Sequence, residues 1–533
     1  MASHKSFNEA QLLIDEEIAD LTVRMRNSIR LLKIQRNAAI RVLKTRRNEL
    51  APALKLPEEI IVQIFIILRD TSDRHPKSWH QVTHICRYWR GAAIGWPALW
   101  ARLYNPPHAL AALMLERSQS MLLDVSLSTL EPKHSIQTLT IILGQIERIR
   151  SLSFRAMPPT FLDIVHDVLA NLGRDWKAAS LQSLAVGLEP GPRPVVVRLA
   201  LDVFRPTGLL RCLSLSGGRY DLAMLPLVPN LTALYLYGKS LRQITGVEFT
   251  EALRHMQFLE ILKIDWKRLH LRQFPPTSQS QPIHLPCLRE LEIVHGHQDH
   301  FDSFLSLMAH PNLHQLSISS PDSVNNLGTF IQSLVSTIET GDFSPLQYLR
   351  VEDEYFTLSA RPESSYWLGS LLHMYVPIDD DAGEDDRGFQ FVVDIISSIT
   401  PFDNPDKIPL RYIYLADFDA PVDQFTRLFA PLRHLETIEV YHKLALVLFK
   451  ALHMASGMPR TSILFPKLQC IICHGVYPTL SSDVFNELHD SLLSRQAQIE
   501  GAVPFKLELV GCKYLDESQA NQLEEIGVEV VIR

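Results

Sequence analysis

At 533 residues the chain is longer than one compact core usually supports, so several domains or one elongated array are expected. Hydrophobic residues make up 46% and charged residues 21%, an ordinary globular balance, and a net charge of −7 argues against a general nucleic-acid binder. No run of about 18 apolar residues occurs, so no membrane span is expected. Six scattered cysteines read as reduced thiols, and the opening MASHKSFNEA lacks the apolar core of a secretory signal, which together point to the cytoplasm, the nucleus or both.

Residues 1–50 read as a charged helix and candidate coiled coil. From Ile14 to Leu50 there is no Pro and no Gly, and Ile14, Ile18, Leu21, Met25, Leu32, Ala39 and Val42 fall on a 3–4 spacing that Ser28 and Gln35 weaken. Arg and Lys dominate residues 21–50. In a basic zipper the basic region precedes the seam, whereas here the seam runs through it. The helix therefore reads as solvated, pairing with itself or leaning on the segment that follows. Lys44-Thr45-Arg46-Arg47 has the composition of a nuclear import signal, as do many unrelated clusters.

The next segment, 51–105, carries the most specific pattern. Pro57 suits a first helical position, and Glu58 and Glu59 favour the positive end of the helix dipole. Ile60, Ile61, Ile64, Phe65 and Leu68 recur at helical spacing and form too wide an apolar surface for one small core, so part of it should face a partner. After a polar run from Arg69 to Ser78, a second helix is predicted, with Val82, Ile85, Cys86, Trp89 and Ala93 on one face; Trp96-Pro97 stops it.

These residues resemble an F-box. The resemblance rests on Leu56-Pro57-Glu58-Glu59-Ile60-Ile61, on Ile64-Phe65 and on Cys86-Arg87-Tyr88-Trp89-Arg90, and the trailing Trp96-Pro97-Ala98-Leu99-Trp100 is similar to the large fungal branch of that family. It implies a small all-α, three-helix module that binds a Skp-type adaptor, and through it a cullin–RING ubiquitin ligase. The adaptor-binding residues it implies are Leu56, Pro57, Ile60, Ile61, Ile64, Phe65 and Trp89.

Residues 106–533 contain an internal repeat of the form L-x-x-L-x-L. Copies occur at Leu122/Val125/Leu127, Ile149/Leu152/Phe154, Leu181/Leu184/Val186, Leu210/Leu213/Leu215, Leu231/Leu234/Leu236, Leu259/Leu262/Ile264, Leu288/Leu291/Ile293 and Leu313/Leu316/Ile318. They continue at Leu346/Leu349/Val351, Leu410/Ile413/Leu415, Leu435/Ile438/Val440 and Leu468/Ile471/Cys473, with a degraded copy at Leu371/Met374/Val376 and a last one at Leu507/Leu509. The last two apolar residues of each copy are two apart and share one strand face, while the first fills the turn beneath. One copy cannot bury that face alone, whereas stacked copies can. Amphipathic segments lie between copies, at 161–172, 302–308, 327–338, 389–399 and 444–454. The expected fold is mainly α/β: a long helix, the small helical module, then a curved parallel-sheet solenoid. The array resembles the irregular leucine-rich repeats found behind many F-boxes.

Alternation then turns Tyr235 and Tyr237, Lys263 and Asp265, Glu290 and Glu292, Arg350 and Glu352, Tyr412 and Tyr414, and Glu439 and Tyr441 to the opposite face. Either a protein target docks there, through Tyr235, Tyr237, Lys263, Arg350, Tyr412, Tyr414 and Tyr441 in particular, or these are solvated strand formers. Residues 273–282 read as a polar loop, and residues 378–388, rich in Asp and Glu, as an exposed acidic insertion.

No constellation points to catalysis or a cofactor. Cys470 and Cys473 would face opposite sides of a strand and cannot grip one metal. His295, His297, Asp299 and His300 have zinc-ligand chemistry but no clear fourth ligand. Phosphate-binding loops and nucleophile elbows are missing from the sequence, and Cys86 reads as a buried structural thiol. The expectation is a non-catalytic substrate receptor of an SCF-type ubiquitin ligase, without cofactor or metal and without nucleic-acid or membrane partners. A non-degradative F-box scaffold is the alternative.

Overall fold

The computed structural model describes residues 2–71, 79–128, 132–171, 177–188, 208–217, 229–237, 246–265, 282–294, 304–319, 347–352, 355–359, 371–375, 393, 396–397, 409–416, 420–456, 464–475, 482–498, 505–511 and 517–533. The acidic segment 378–388, the helical segment 327–338, nearly all of 389–399, the loop 273–281 and the cluster of His295, His297, Asp299 and His300 lie outside them. The chain divides into two compact units, Met1–Ile149 and Arg150–Arg533.

The first unit opens with one helix, Ala2–Glu49, which starts earlier than the seam at Ile14 suggested. With neither Pro nor Gly inside it, nothing interrupts its hydrogen-bond ladder until Pro52 opens a 3-10 turn at Pro52–Lys55. Helix Glu58–Thr71 follows, with Glu58 and Glu59 in its first turn as the dipole favours. The second predicted helix is split. Trp79–His84 is a 3-10 turn, and a fresh helix runs Arg87–Gly95. Cys86 breaks the run by adopting an extended conformation (φ −152°), and its sulfur accepts a bond from the Trp89 N–H at 3.4 Å. This N-cap role leaves Ile85 exposed and Cys86 half-buried, not on a continuous apolar face.

Two tryptophans close the small core. Trp100 lies edge-on to Trp79 at 5.1 Å, donates its indole N–H to the Ala93 carbonyl at 2.6 Å, and carries the Arg117 guanidinium 4.4 Å above its ring. Arg69 ties the end of helix Glu58–Thr71 to the Ala98 carbonyl at 2.9 Å. Arg69, and with it Arg102, hold the Asp70 carboxylate below its ordinary range. Strands β1 (Arg102–Tyr104) and β2 (Leu123–Ser128) pair in parallel. Here the buried alternation is Leu123, Val125 and Leu127, while Leu122, expected to fill the turn, is exposed.

The second unit is built on one sheet. Its strands are β3 (Ile149–Met157), β4 (Ser183–Leu188), β5 (Cys212–Ser216), β6 (Ala233–Tyr237), β7 (Ile261–Asp265), β9 (Glu290–Val294) and β11 (Gln315–Ser319). Further along come β12 (Tyr348–Glu352), β13 (Tyr355–Ser359), β14 (Leu371–Tyr375), β15 (Tyr412–Leu415), β16 (Thr437–Tyr441), β17 (Cys470–His474), β18 (Phe505–Val510) and β19 (Val528–Ile532). The short strands β8 (Ile283–His284) and β10 (Met308–Ala309) pair separately. Strands β3 to β7, β9 and β11 follow chain order and run parallel, as do β15 to β19.

Register explains the spacing of the repeat. One row of Cα partners runs Leu152, Leu184, Leu213, Leu234, Leu262, Leu291, Leu316; a second, two residues on, runs Phe154, Val186, Leu215, Leu236, Ile264, Ile293, Ile318. All are buried, as are Leu181, Leu210, Leu231, Leu259, Leu288 and Leu313 in the turns before them. Beyond the middle of the sheet the rows resume as Ile413, Ile438, Ile471, Leu507 and as Leu415, Val440, Cys473, Leu509. Helices bury their own stripes beside these rows, for example Phe249 and Leu253 in Gly246–Arg254 and Leu444, Leu448 and Phe449 in Lys443–Ser456. Gly217 ends β5 with φ +77°; a Cβ there would lie 2.2 Å from the Leu188 carbonyl oxygen.

Among the described strands the parallel array has one reversal. β14, not β12, pairs with β11, and β13 runs antiparallel between β14 and β12. The pairing keeps the apolar register: Leu358 lies between Leu349 and Leu372, and Phe356 between Val351 and Met374. The degraded copy expected at Leu371, Met374 and Val376 does contain a strand, but two residues out of the template's phase: Leu372 and Met374 take the two rows, Leu371 is a strand residue and not a turn leucine, and Val376 lies outside the described residues. It is reached through a hairpin partner that the repeat template did not predict. Tyr355-Phe356-Thr357-Leu358-Ser359 alternates like a strand without the preceding turn leucine.

One buried cation supports the end of the sheet. Arg495 in helix Ser482–Gln498 is 8% exposed and donates to the carbonyls of Leu464 (2.8 Å), Phe465 and Leu468 (3.4 Å), the turn leading into β17. Burial lowers its pKa to about 10. Arg495→Leu removes these donors from buried carbonyls and should cost about 2 kcal/mol, seen as a lower urea midpoint for the full chain, with Arg495→Lys recovering only part. An unchanged midpoint would show that the turn needs no such support.

Candidate functional site

Helix Glu58–Thr71 has two apolar faces, one buried and one exposed. Ile61, Val62 and Phe65 point inward, at 1%, 0% and 0% exposure. Phe65 meets Trp89 edge-on at 5.2 Å. Ile60, Ile64, Ile67 and Leu68, at i, i+4, i+7 and i+8, form the opposite stripe, at 47%, 38%, 58% and 42% exposure. Helical geometry sets this division: residues 61, 62 and 65 lie roughly 100° or more around the axis from residue 60, so one helix carries both a core seam and an outward one.

The seven residues expected to form a docking face do not share one surface. Leu56, Pro57, Ile60 and Ile64 lie on the outside. Ile61 and Phe65 are buried in the module and can only support that surface, because the core needs their side chains. Trp89 is half-buried against Phe65, and its indole nitrogen is buried without a hydrogen-bond partner among the described residues. Ile67, outside the expected set, is the most exposed member of the stripe; the i+7 spacing from Ile60 was the signal for it. The Tyr88 hydroxyl reaches the Leu56 carbonyl at 3.4 Å, linking the start of this helix to the helix that carries Trp89.

The outer sheet face of the second unit carries a different chemistry. Lys263 sits between Glu290 and Glu292, at 3.0 Å from the latter. Burial opposes its charge, but bonds to the two carboxylates outweigh it and hold its pKa above the ordinary value. Tyr235 and Tyr237 lie beside this triad, ring centroids 6.5 Å apart, and burial raises both phenols. Asp265 departs from the expected outward set: it is buried at the end of β7.

Farther along the same face, aromatic side chains collect across β12, β15, β16 and β17. Tyr348 and Tyr412 are 5.6 Å apart, Tyr414 and Tyr441 5.0 Å, and Tyr441 stacks flat on His474 at 4.2 Å. The Arg350 guanidinium lies 4.3 Å over Tyr414. Glu439 sits within this cluster, bonded by the Tyr412 hydroxyl and 2.6 Å from His474 Nε2; burial raises its pKa against the pull of His474. Tyr348 and His474 were not singled out in the sequence, although their alternation with Leu349 and Cys473 places them on this face. The Glu352 side chain is outside the described residues.

The two cysteines of the C-x-x-C pair take the positions that strand alternation predicts. Cys470 and Cys473 face opposite sides of β17, Cys473 buried and Cys470 half-buried. Burial, and after it the Glu508 carboxylate, push the Cys470 thiol up to about 11, so it is protonated at neutral pH. Among the described residues no group of three or more His, Cys, Asp or Glu side chains could hold a metal, and no helix is long and apolar enough to cross a membrane.

The two faces of helix Glu58–Thr71 differ in what a charge would do. Phe65→Asp places a carboxylate in a sealed core and should destabilise the first unit by more than about 3 kcal/mol. Ile64→Asp leaves its charge in water and should change stability by less than about 1 kcal/mol. Thermal denaturation of the full-length variants, with limited proteolysis of the first unit, separates them; equal losses would contradict the assignment of faces.

Against known families, residues 53–106 match the F-box-like family model. The match spans helix Glu58–Thr71, both turns of the split second helix, and the Trp79–Trp100 core. A comparison with curated proteins finds no match. The chain thus carries an F-box-like domain, at residues 53–106.

Proposed function

We propose that this chain is the substrate-recognition subunit of an SCF-type cullin–RING ubiquitin ligase. The observation that carries the reading is the exposed apolar stripe Ile60, Ile64 and Ile67 on the first full helix of an F-box-like domain. A surface of this kind is costly to leave in water and suits a partner helix or groove. F-box domains generally bind Skp-type adaptors, and the stripe, with Leu56 and Pro57 at its start and Phe65 and Trp89 beneath it, is where the adaptor docks. The second unit, read as an irregular leucine-rich array, presents the target. Its docking face is the outer sheet surface with Tyr235, Tyr237, Lys263, Arg350, Tyr412, Tyr414 and Tyr441, where Tyr and Arg are effective anchors.

The chain makes and breaks no bonds in this scheme. It holds a target beside activated ubiquitin supplied by the other subunits, and the gain is one of proximity. The role requires neither metal nor cofactor.

Two measurements test the two halves. Ile60→Asp/Ile64→Asp, both on the exposed stripe, should abolish co-purification with a Skp-type adaptor while the circular dichroism of the chain is unchanged; retained binding by a folded variant would overturn the docking surface. Tyr412→Ala/Tyr414→Ala/Tyr441→Ala should bind the adaptor normally yet lose ubiquitin transfer to captured protein in a reconstituted ligase. Transfer at wild-type rate would remove that patch from target binding. Adaptor binding by wild type with no transfer to any captured protein would favour a non-degradative scaffold.

A further inference from the structure

The N-terminal helix is a second large surface that the proposed function does not use. Its 48 residues span about 70 Å. Ile14, Ile18, Leu21, Met25 and Leu32 on its seam are 57%, 56%, 58%, 59% and 64% exposed, and Val42 is exposed as well. A helix this long draws its stability chiefly from burial of an apolar stripe, so a stripe left in water calls for a partner.

The charges identify that partner. Residues 9–20 contain Glu9, Asp15, Glu16, Glu17 and Asp20 and no Lys or Arg. Residues 33–44 contain Lys33, Arg36, Arg41 and Lys44 and no Asp or Glu. The helix is thus acidic towards one end and basic towards the other along the 3–4 seam, with further exposed apolar residues such as Ile29, Leu31 and Leu43 flanking it. We propose that this helix pairs with the same helix of a second copy of the chain, antiparallel, to form a two-stranded coiled coil.

Heptad geometry fixes the layers. With Ile18, Met25, Leu32 and Ala39 at one seam position and Ile14, Leu21, Ser28 and Gln35 at the other, antiparallel packing sets each position against the other type. Leu21 then faces Leu32 of the second copy, Ile14 faces Ala39, Ile18 faces Gln35, and Met25 faces Ser28. Asp15 comes beside Arg36 of the second copy, and the acidic segment lies along the basic one at both ends. Parallel pairing in register does the reverse. It sets acid on acid and base on base, and brings Arg46 against Arg46 across the seam. The central arginines Arg24, Arg26 and Arg30 meet their counterparts in either arrangement, so they do not discriminate; the ends do. Flanking charges of this kind set orientation more than they set affinity.

The full-length chain tests this directly. Sedimentation at micromolar concentration should give twice the 60.6 kDa of one chain. The association should weaken as salt rises, and Asp15→Lys/Glu17→Lys/Asp20→Lys should weaken it about tenfold. Leu21→Asp/Leu32→Asp should give a monomer of unchanged helix content. Orientation is read by oxidative cross-linking: a mixture of Leu21→Cys and Leu32→Cys chains should form the mixed disulfide dimer, and neither variant should cross-link alone. Homotypic cross-links would show a parallel pair and overturn the proposal. So would a wild-type chain that stays monomeric, including one that changes size only on addition of DNA or anionic vesicles, which would assign the basic half to an acidic partner. If the charged double variant loses helix content, the near-isosteric cysteine pair still decides the outcome. None of these measurements involves the adaptor, so the failure of one proposal leaves the other standing.

Discussion

The second unit depends on two apolar rows held in register across its sheet. Leu262, for example, is buried with Leu234 beside it on one side and Leu291 on the other. Burial of a leucine is worth about 2 kcal/mol, less than the entropy of ordering the repeat that carries it, so no copy stands alone. Register is therefore strict: a slip of one residue would turn outer-face side chains such as Tyr235, Glu290 and Glu439 into the core. The same constraint absorbs the reversal at β13. Chain direction changes there, but the residues facing each other remain Leu with Leu and Phe with Val or Met.

The first unit uses the same element for two purposes. Helix Glu58–Thr71 packs Ile61 and Phe65 inward and leaves Ile60, Ile64 and Ile67 outward. The inner face is locked by Trp89, Trp79 and Trp100, and Arg69 fastens its end. A rigid inner face holds the outer stripe in a fixed arrangement, which is what a docking surface requires. The outer sheet face of the second unit is organised by pairing instead. Lys263 with its two glutamates, and Glu439 with Tyr412 and His474, set polar groups with hydrogen-bonding or ionic partners among the tyrosines.

The L-x-x-L-x-L spacing predicted the inward rows residue by residue from Leu152 to Ile318 and again from Ile413 to Leu509, but not across β13 and β14; where it held, period-two alternation leaves a strand little choice once one face must be buried. The F-box pattern was legible for a related reason: Leu-Pro, the paired isoleucines and Cys-x-x-Trp each answer a local need for a helix start, an apolar face or a cap. Local rules also failed at identifiable points. Cys86 was placed on a continuous helix when it caps a new one, and Leu122 was taken for a turn leucine when Leu123 fills the core. In each case neighbouring residues offered two compatible phases, and tertiary packing selected one.

What the sequence determined by itself was the list of apolar residues, their periods and the polarity of charge along the N-terminal helix, because these depend only on backbone geometry and side-chain type. What only the tertiary structure decided was assignment among equivalents. It separated Phe65 from Ile64, placed β14 rather than β12 beside β11, and gathered Tyr348, Tyr412, Tyr414, Tyr441 and His474 into one cluster. Those outcomes turn on which surface meets which, a competition among distant segments that hydrophobic patterning along the chain leaves open.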